Sequence, residues 1–170
     1  MSAFGSFKVP SQIKKRKLDH GLPVFKWSLL ENMEEIGSGS YGVVYSAKYE
    51  NKAVVVKKLK GESSVAKDRF LKEAKLLFEM KHPNIPMFAG FTDSPHYSLM
   101  MEYAQFDFKP FGIEKKVSNL GAFYHFVDYE MEFESFSDVL VTCMKDVVSA
   151  LNYLHERDIV HRDLKPENVW

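Results

Sequence analysis

Cysteine is nearly missing from the sequence. Cys143 is the only one in 170 residues, so no intrachain disulfide can form and a disulfide-stapled scaffold is excluded. An excess of charge of one sign is missing too. Lys and Arg total 23, Asp and Glu total 23, and the formal net charge of zero removes any global argument for nucleic acid or an anionic membrane as partner. No apolar run is long enough to span a bilayer. The stretch from Met1 to Lys17 has no apolar core of the kind a signal peptide needs. A G-x-x-x-x-G-K-[ST] segment is also absent, which excludes the P-loop class of nucleotide binders. What remains is ordinary for one globular domain, with 45% apolar and 27% charged residues. The cytoplasm is the expected location, with the nucleus as the alternative. Lys14-Lys15-Arg16-Lys17 reads either as an import signal or as a solvated basic tail.

Along the chain, residues 1–28 read as an N-terminal tail, with Phe25 and Trp27 able to dock on the domain that follows. From Leu29 onward the signals are those of ordered structure. Gly37-Ser38-Gly39-Ser40-Tyr41-Gly42 is followed by the β-branched run Val43-Val44-Tyr45, so the glycines fall in a hairpin between two strands. Residues 53–57 read as a third strand after a turn at Glu50-Asn51-Lys52. Phe70, Ala74 and Leu77 recur at helical spacing and predict a helix over 65–80, ended by His82-Pro83. Two short strands are expected near 86–91 and 97–103. A second helix is expected over 137–156, with Leu140, Met144, Val147, Val148, Leu151 and Leu154 on its apolar face. Ile159-Val160 reads as a short strand leading into His161.

Three constellations carry chemistry. The first is G-x-G-x-x-G at Gly37, Gly39 and Gly42. Glycines let backbone N–H groups approach phosphate oxygens with no Cβ in the way, although a plain hairpin turn is an equal reading of the loop alone. Dinucleotide-binding folds open a helix at the last glycine, whereas here a strand follows. The second is Lys57, which alternation places with Ala53 and Val55 on one face of its strand. A lysine on an apolar strand face needs an anionic partner or a route to solvent, and Glu73 in the next helix is the candidate partner. The third is His161-Arg162-Asp163-Leu164-Lys165-Pro166-Glu167-Asn168. Asp163 can accept or orient a hydroxyl proton, Lys165 can neutralise a transferring phosphoryl group, and Asn168 can hold a metal ion. These are the parts that phosphoryl transfer requires around one point.

With these pieces in this order, residues 29–170 resemble the eukaryotic protein kinase family, of the Ser/Thr type. The His82-Pro83-Asn84-Ile85 segment and Trp27 resemble its tyrosine-kinase-like or kinase-kinase-kinase branches. The resemblance implies an α+β fold: a five-stranded antiparallel N-lobe sheet with one helix (29–101), a hinge (102–104), and the first helices of a mainly helical C-lobe (105–170). It implies an ATP-dependent enzyme that uses Mg2+ and phosphorylates Ser or Thr on a protein substrate. On individual positions, it implies that Gly37, Ser38, Gly39 and Gly42 cover the ATP phosphates. Lys57, held by Glu73, would bind the α- and β-phosphates. Ile36 and Val44 would enclose adenine, and Glu102 and Ala104 would meet it through hinge backbone beside a Met101 gatekeeper. Asp163 would be the catalytic aspartate, Lys165 the Ser/Thr-type catalytic lysine and Asn168 a magnesium ligand.

Three features depart from the family pattern. Val55 stands where family members carry alanine, so two extra methyls crowd the adenine side. Segment 105–136 looks longer than usual and is rich in aromatics, including Phe106, Phe108, Phe111, Tyr124 and Tyr129. It reads as local packing or as a docking surface. The chain also stops at Trp170, before the family's Asp-Phe-Gly motif, its activation segment and the rest of its C-lobe. The expectation is a fragment of a longer protein or a truncated product, inactive alone, with Leu140, Val147 and Leu151 facing water. The alternative function is a nucleotide- or partner-binding module without transfer.

Overall fold

Two tight turns organise the first three strands. β1 (Leu30–Ser38), β2 (Gly42–Tyr49) and β3 (Lys52–Leu59) run antiparallel. The turn between β2 and β3 is Glu50-Asn51, with φ of 49° and 61°. Both values lie in the left-handed region that a two-residue hairpin of matching twist demands, and asparagine tolerates that region well. β1 is irregular at Asn32 (φ 52°), where its register with β2 shifts between Glu31 and Glu34. A bulge there bends the strand. The computed structural model describes residues 8–11, 13, 20–104, 119–130 and 137–169, the side chains of 127–130 and 137–139 excepted.

α1 (Ser64–Glu79) follows β3 and starts at Ser63, whose hydroxyl accepts a hydrogen bond from the Ala66 amide at 3.1 Å. Such a cap satisfies one of the orphan donors of the first turn. β4 (Phe88–Thr92) and β5 (Ser98–Glu102) complete a five-stranded antiparallel sheet of order β1-β2-β3-β5-β4. The fold is α+β. The chain divides into two units, residues 1–81 with 85–103 and residues 82–84 with 104–170.

In the first unit, alternation along β3 sorts its residues onto two differently covered faces. Val54 and Val56, both 0% exposed, join Ala47, Tyr49, Ala89 and Met100 in one core cluster. Leu59 turns the other way and packs with Phe70 and Ala74 of α1, Phe88, Phe91 and Leu99. The first cluster is closed by the N-terminal segment. Ile13 and Phe25 belong to it, while Leu22 belongs to the cluster with α1. Phe25 meets the Tyr49 ring edge-on at 6.1 Å, and the Lys26 amide donates to the Tyr49 hydroxyl at 3.1 Å. Burial pushes the Tyr49 phenol up, against the smaller opposing effect of the Lys26 amide.

The same segment extends the sheet. Val24 forms a parallel bridge with Phe91 of β4; the Phe91 amide donates to Pro23 O at 2.8 Å and the Phe25 amide to Phe91 O at 3.3 Å. An otherwise open sheet edge is thereby covered. Further back, the Ser11 amide and hydroxyl donate to Glu50 Oε2 at 2.8 and 3.3 Å, and Lys52 Nζ donates to Lys8 O. The expected docking of Phe25 and Trp27 is present. Phe25 is buried, and Trp27 packs partly buried with its ring 5.2 Å from His96.

In the second unit, α2 (Leu120–Glu130) and α3 (Ser137–His155) are the α-helices among the described residues. α2 lies inside the stretch read as an aromatic-rich insertion, and Asn119 caps it by accepting from the Ala122 amide at 2.8 Å. Phe123 and Phe126 of that stretch are buried. Phe106, Phe108 and Phe111 lie outside the described residues, as does the Tyr129 side chain. α3 matches the expected helix, but its apolar face is unevenly covered. Leu154 is buried, Leu140, Val147 and Leu151 are half-buried rather than open to water, and Val141, Met144 and Val148 are exposed. His82 lies on α3, with its ring 5.0 Å from Tyr153 and its Nε2 3.2 Å from the Ser149 hydroxyl. Ile159 and Val160 form no strand: α3 ends in a turn through Asp158 (φ 57°), and two residues have no neighbouring strand to pair with among those described.

Candidate active site

The hairpin between β1 and β2 is closed by the Gly39 amide, which donates to Gly42 O at 2.9 Å. Gly42 is there for packing. A Cβ at this position would stand 2.7 Å from Lys58 O, a contact with backbone that no rotamer relieves. Gly37 and Gly39 differ, since a Cβ on either would meet nothing within 4 Å. The protein does not need their smallness, so the open space beside them is available to something else.

Sheet register aligns the other residues. Gly37 pairs with Val44, Val44 with Lys57, and Lys57 with Leu99. Val55 pairs with Ser46 and Met101. Directly opposed residues project to the same side, so Val44, Val55, Lys57 and Met101 share the face on which α1 packs. Ile36 sits at the second register shift of β1, between Glu35 and Gly37, and is 46% exposed. Ser38 and Gly39 are exposed at the tip of β1.

Lys57 and Glu73, paired on paper only by their order in the sequence, meet. Lys57 Nζ lies 2.6 Å from Glu73 Oε1 and 5.9 Å from the centre of the Phe70 ring. Phe70 and Ala74 are the buried positions of α1. Glu73, between them, is therefore carried to the edge of the helix face that packs on the sheet. The two side chains are 26% and 40% exposed, so the pair is partly screened and adds no more than about 1 kcal/mol to stability. Its effect is to aim the ammonium.

At the end of β5, the Glu102 amide donates to Met87 O at 2.8 Å, and its carboxylate accepts from the Met87 amide at 3.1 Å. Glu102 is thus held from both its backbone and its side chain. The chain passes from the first unit to the second between Tyr103 and Ala104.

The second unit carries the loop 161–168. Asn168 Nδ2 donates to Asp163 O at 2.7 Å and to Asp163 Oδ2 at 2.9 Å. Lys165 Nζ stands 3.3 Å from the same Oδ2. Pro166–Asn168 forms a single 3-10 turn, closed by the Asn168 amide onto Lys165 O, and this brings the asparagine back over the aspartate. Arg162, just before, is left-handed at φ 64°. A bulky residue in that region costs about 1–3 kcal/mol and recurs at functional loops. The loop is braced from α2, whose Leu120 amide donates to Val169 O at 2.8 Å.

The Asp163 carboxyl is held below its usual range, first by the hydrogen bond from Asn168, then by that from Lys165, with the Lys165 and His161 charges adding to the effect. A depressed carboxyl keeps its partners above the ordinary carboxylate range and loses them only as pH falls through the lowered value. A pH–rate profile near neutrality is therefore expected to show no limb from Asp163. A limb in that region that disappears in Asp163→Asn would contradict this assignment.

The sequence reading missed Lys60. Its Nζ donates to Ser38 Oγ at 2.6 Å and to Gly39 O at 3.1 Å, and its amide donates to Tyr41 O at 3.2 Å. No motif marks it, because the contact crosses from the end of β3 to a loop two strands away.

Against known families, residues 30–170 match the model described as the protein kinase domain. "Serine/threonine-protein kinase CTR1" of Arabidopsis thaliana is 32% identical over 149 residues, covering 84% of this chain and 16% of that protein. "Mitogen-activated protein kinase kinase kinase dlk-1" of Caenorhabditis briggsae is 30% identical over 161 residues, covering 94% of this chain and 16% of that protein. The "Raf homolog serine/threonine-protein kinase" of Caenorhabditis elegans is 27% identical over 150 residues, covering 85% and 17%. The chain thus spans less than a fifth of the length of these curated relatives. A strand lysine tied to a helix packed on a five-stranded sheet, an acid, a lysine and an asparagine gathered in one loop, and a family match across 30–170 lead to one conclusion: this chain belongs to the protein kinase family, with its likeness to Ser/Thr kinases of the tyrosine-kinase-like branch.

Proposed function

We propose that this chain supplies the nucleotide-binding lobe and catalytic loop of an ATP-dependent protein kinase that transfers phosphate to Ser or Thr on a protein. The observation that carries this reading is the cluster in the second unit. Asn168 and Lys165 both converge on Asp163 Oδ2, at 2.9 and 3.3 Å. An ionised carboxylate so placed orients a substrate hydroxyl and takes up its proton as the oxygen attacks phosphorus. Lys165 offsets charge on the phosphoryl oxygens. The open space beside Gly37 and Gly39 suits phosphates held by loop amides, and Lys57, aimed by Glu73, suits their α- and β-oxygens.

ATP and Mg2+ fit the residues present. Asn168 directs its amide nitrogen to Asp163, which leaves the amide oxygen as a hard donor of the kind magnesium accepts. Bound with ATP, the ion offsets phosphate charge. Ile36, Val44, Val55 and Met101 would supply apolar contacts to adenine, with backbone at Glu102 and Ala104 as its polar partners. The direct test is transfer from labelled Mg-ATP by the protein carrying this chain, offered peptide pools with Ser, Thr or Tyr as sole acceptor. Label on Ser and Thr supports the reading, and label on Tyr alone overturns the specificity. Bound nucleotide with no labelled product would favour the binding-module alternative.

Val55 offers a second check. Its two methyls beyond alanine stand on the face shared with Lys57 and Met101. Val55→Ala is expected to tighten nucleotide binding by about fivefold, the equivalent of relieving roughly 1 kcal/mol of crowding. Unchanged affinity by calorimetry would show that the site already accommodates the valine.

A further inference from the structure

The glycine loop is joined to β3 by one residue that holds both of its arms. The Lys60 amide donates to Tyr41 O, on the arm that enters β2, at 3.2 Å. The Lys60 ammonium donates to Ser38 Oγ at 2.6 Å and Gly39 O at 3.1 Å, on the arm that leaves β1. These bonds add to two other anchors of the segment, the pairing of Ser38 with Val43 and the Gly39 amide on Gly42 O. Ser38, Gly39, Ser40 and Tyr41 are all exposed, and space is open beside Gly37 and Gly39. Gly42, next in the chain, is pressed against Lys58 O, so the root of the loop is fixed by packing while its tip is fixed only by polar contacts.

We infer that Lys60 is a positioning residue that latches the glycine loop, and so sets the affinity for the phosphate end of the nucleotide. The inference rests on the reading of this loop as the phosphate cover. A loop whose binding-competent position is only partly occupied binds its ligand more weakly in proportion to that fraction. The latch raises the fraction before any ligand arrives. Lys60 reaches the loop through Ser38 and Gly39, so its effect should depend on those anchors rather than on its charge alone.

The test compares Mg-ADP with adenosine on the protein that carries this chain, as wild type and as Lys60→Met, Ser38→Ala and their combination. Lys60→Met is expected to weaken Mg-ADP by about three- to tenfold, the size of losing an ordinary solvent-exposed hydrogen bond. Adenosine, which has no phosphates, should bind both proteins equally. Ser38→Ala keeps the lysine charge and should weaken Mg-ADP in the same direction. The double variant should be no weaker than Lys60→Met, because both changes open one latch. Lys60→Arg, which keeps a long cationic donor, should recover most of the affinity. Equal Mg-ADP affinity in wild type and Lys60→Met overturns the proposal. So does a loss in Lys60→Met with none in Ser38→Ala, since that pattern means direct attraction between the ammonium and phosphate. If the wild-type protein that carries this chain binds neither Mg-ADP nor adenosine, the nucleotide reading itself fails, a result distinct from either.

Discussion

Asp163→Asn is expected to lower phosphoryl transfer by about a thousandfold in the protein that carries this chain, while nucleotide affinity stays within about twofold, in line with the usual size of an acid–base contribution. The side chains are nearly the same shape, so the loop should keep its form. Asn168 still donates to Asp163 O, the Asn168 amide still closes onto Lys165 O, and α2 still braces Val169. What disappears is a carboxylate that accepts from both Asn168 and Lys165 at Oδ2. An amide cannot take a proton from an attacking hydroxyl. Stability should barely move, because Asp163 is 67% exposed and its ion pair with Lys165 is a surface pair. Single-turnover transfer, read beside nucleotide binding and a melting curve, separates these effects. Near-normal transfer in this variant would remove Asp163 from the chemistry. Lost transfer with a large fall in melting temperature would point to the loop's structure instead.

Phe25→Ala should be the most damaging single truncation in the first unit, costing about 3–5 kcal/mol of unfolding free energy. Phe25 is 1% exposed, packs edge-on against Tyr49, and lies beside Ile13 and Gly90. Its own amide and the Phe91 amide tie the segment to β4. Removing the ring leaves a cavity in the cluster around Val54, Val56 and Met100, bounded on one side by a strand edge that cannot easily collapse. A loss of that size is a large part of the roughly 5–15 kcal/mol that holds a domain folded. Urea titration of the chain measures it, with Lys26→Ala, an exposed neighbouring side chain, as the comparison expected to change little. A cost under about 1 kcal/mol for Phe25→Ala would mean that the segment before residue 29 rests on the sheet without stabilising it.

Much of this protein was legible from one sequence because its strongest signals are local. Val54 and Val56 alternate with Val55 and Lys57, and the two faces of β3 follow from the period of a strand. Phe70, Ala74 and Leu77 mark α1 through the period of a helix, and that period places Glu73 beside the apolar stripe. The loop 161–168 is eight consecutive residues, so its contacts from Asn168 and Lys165 back to Asp163 span five positions or fewer. α2 was also within reach, since Leu120, Phe123, Tyr124 and Val127 have helical spacing after a capping Asn119. The aromatics on either side of it, from Phe106 to Phe136, mask that period.

Tertiary structure decided the rest, and each case depends on residues far apart in the chain. That β5 lies between β3 and β4 sets Lys57 opposite Leu99 and Val55 opposite Met101, and no local period encodes a strand order. That Leu22 and Phe25 are core residues follows from β4 presenting an open edge for Val24 to join. That Lys60 holds Ser38 and Gly39 follows from the twist and curl of a three-strand meander, which bring the end of β3 within a lysine's reach of the first hairpin. Local patterns along the chain specify which groups exist and how each element forms. The pairing of sheet edges and faces, whose free energy comes from burying surfaces contributed by distant segments, determined which of those groups would meet.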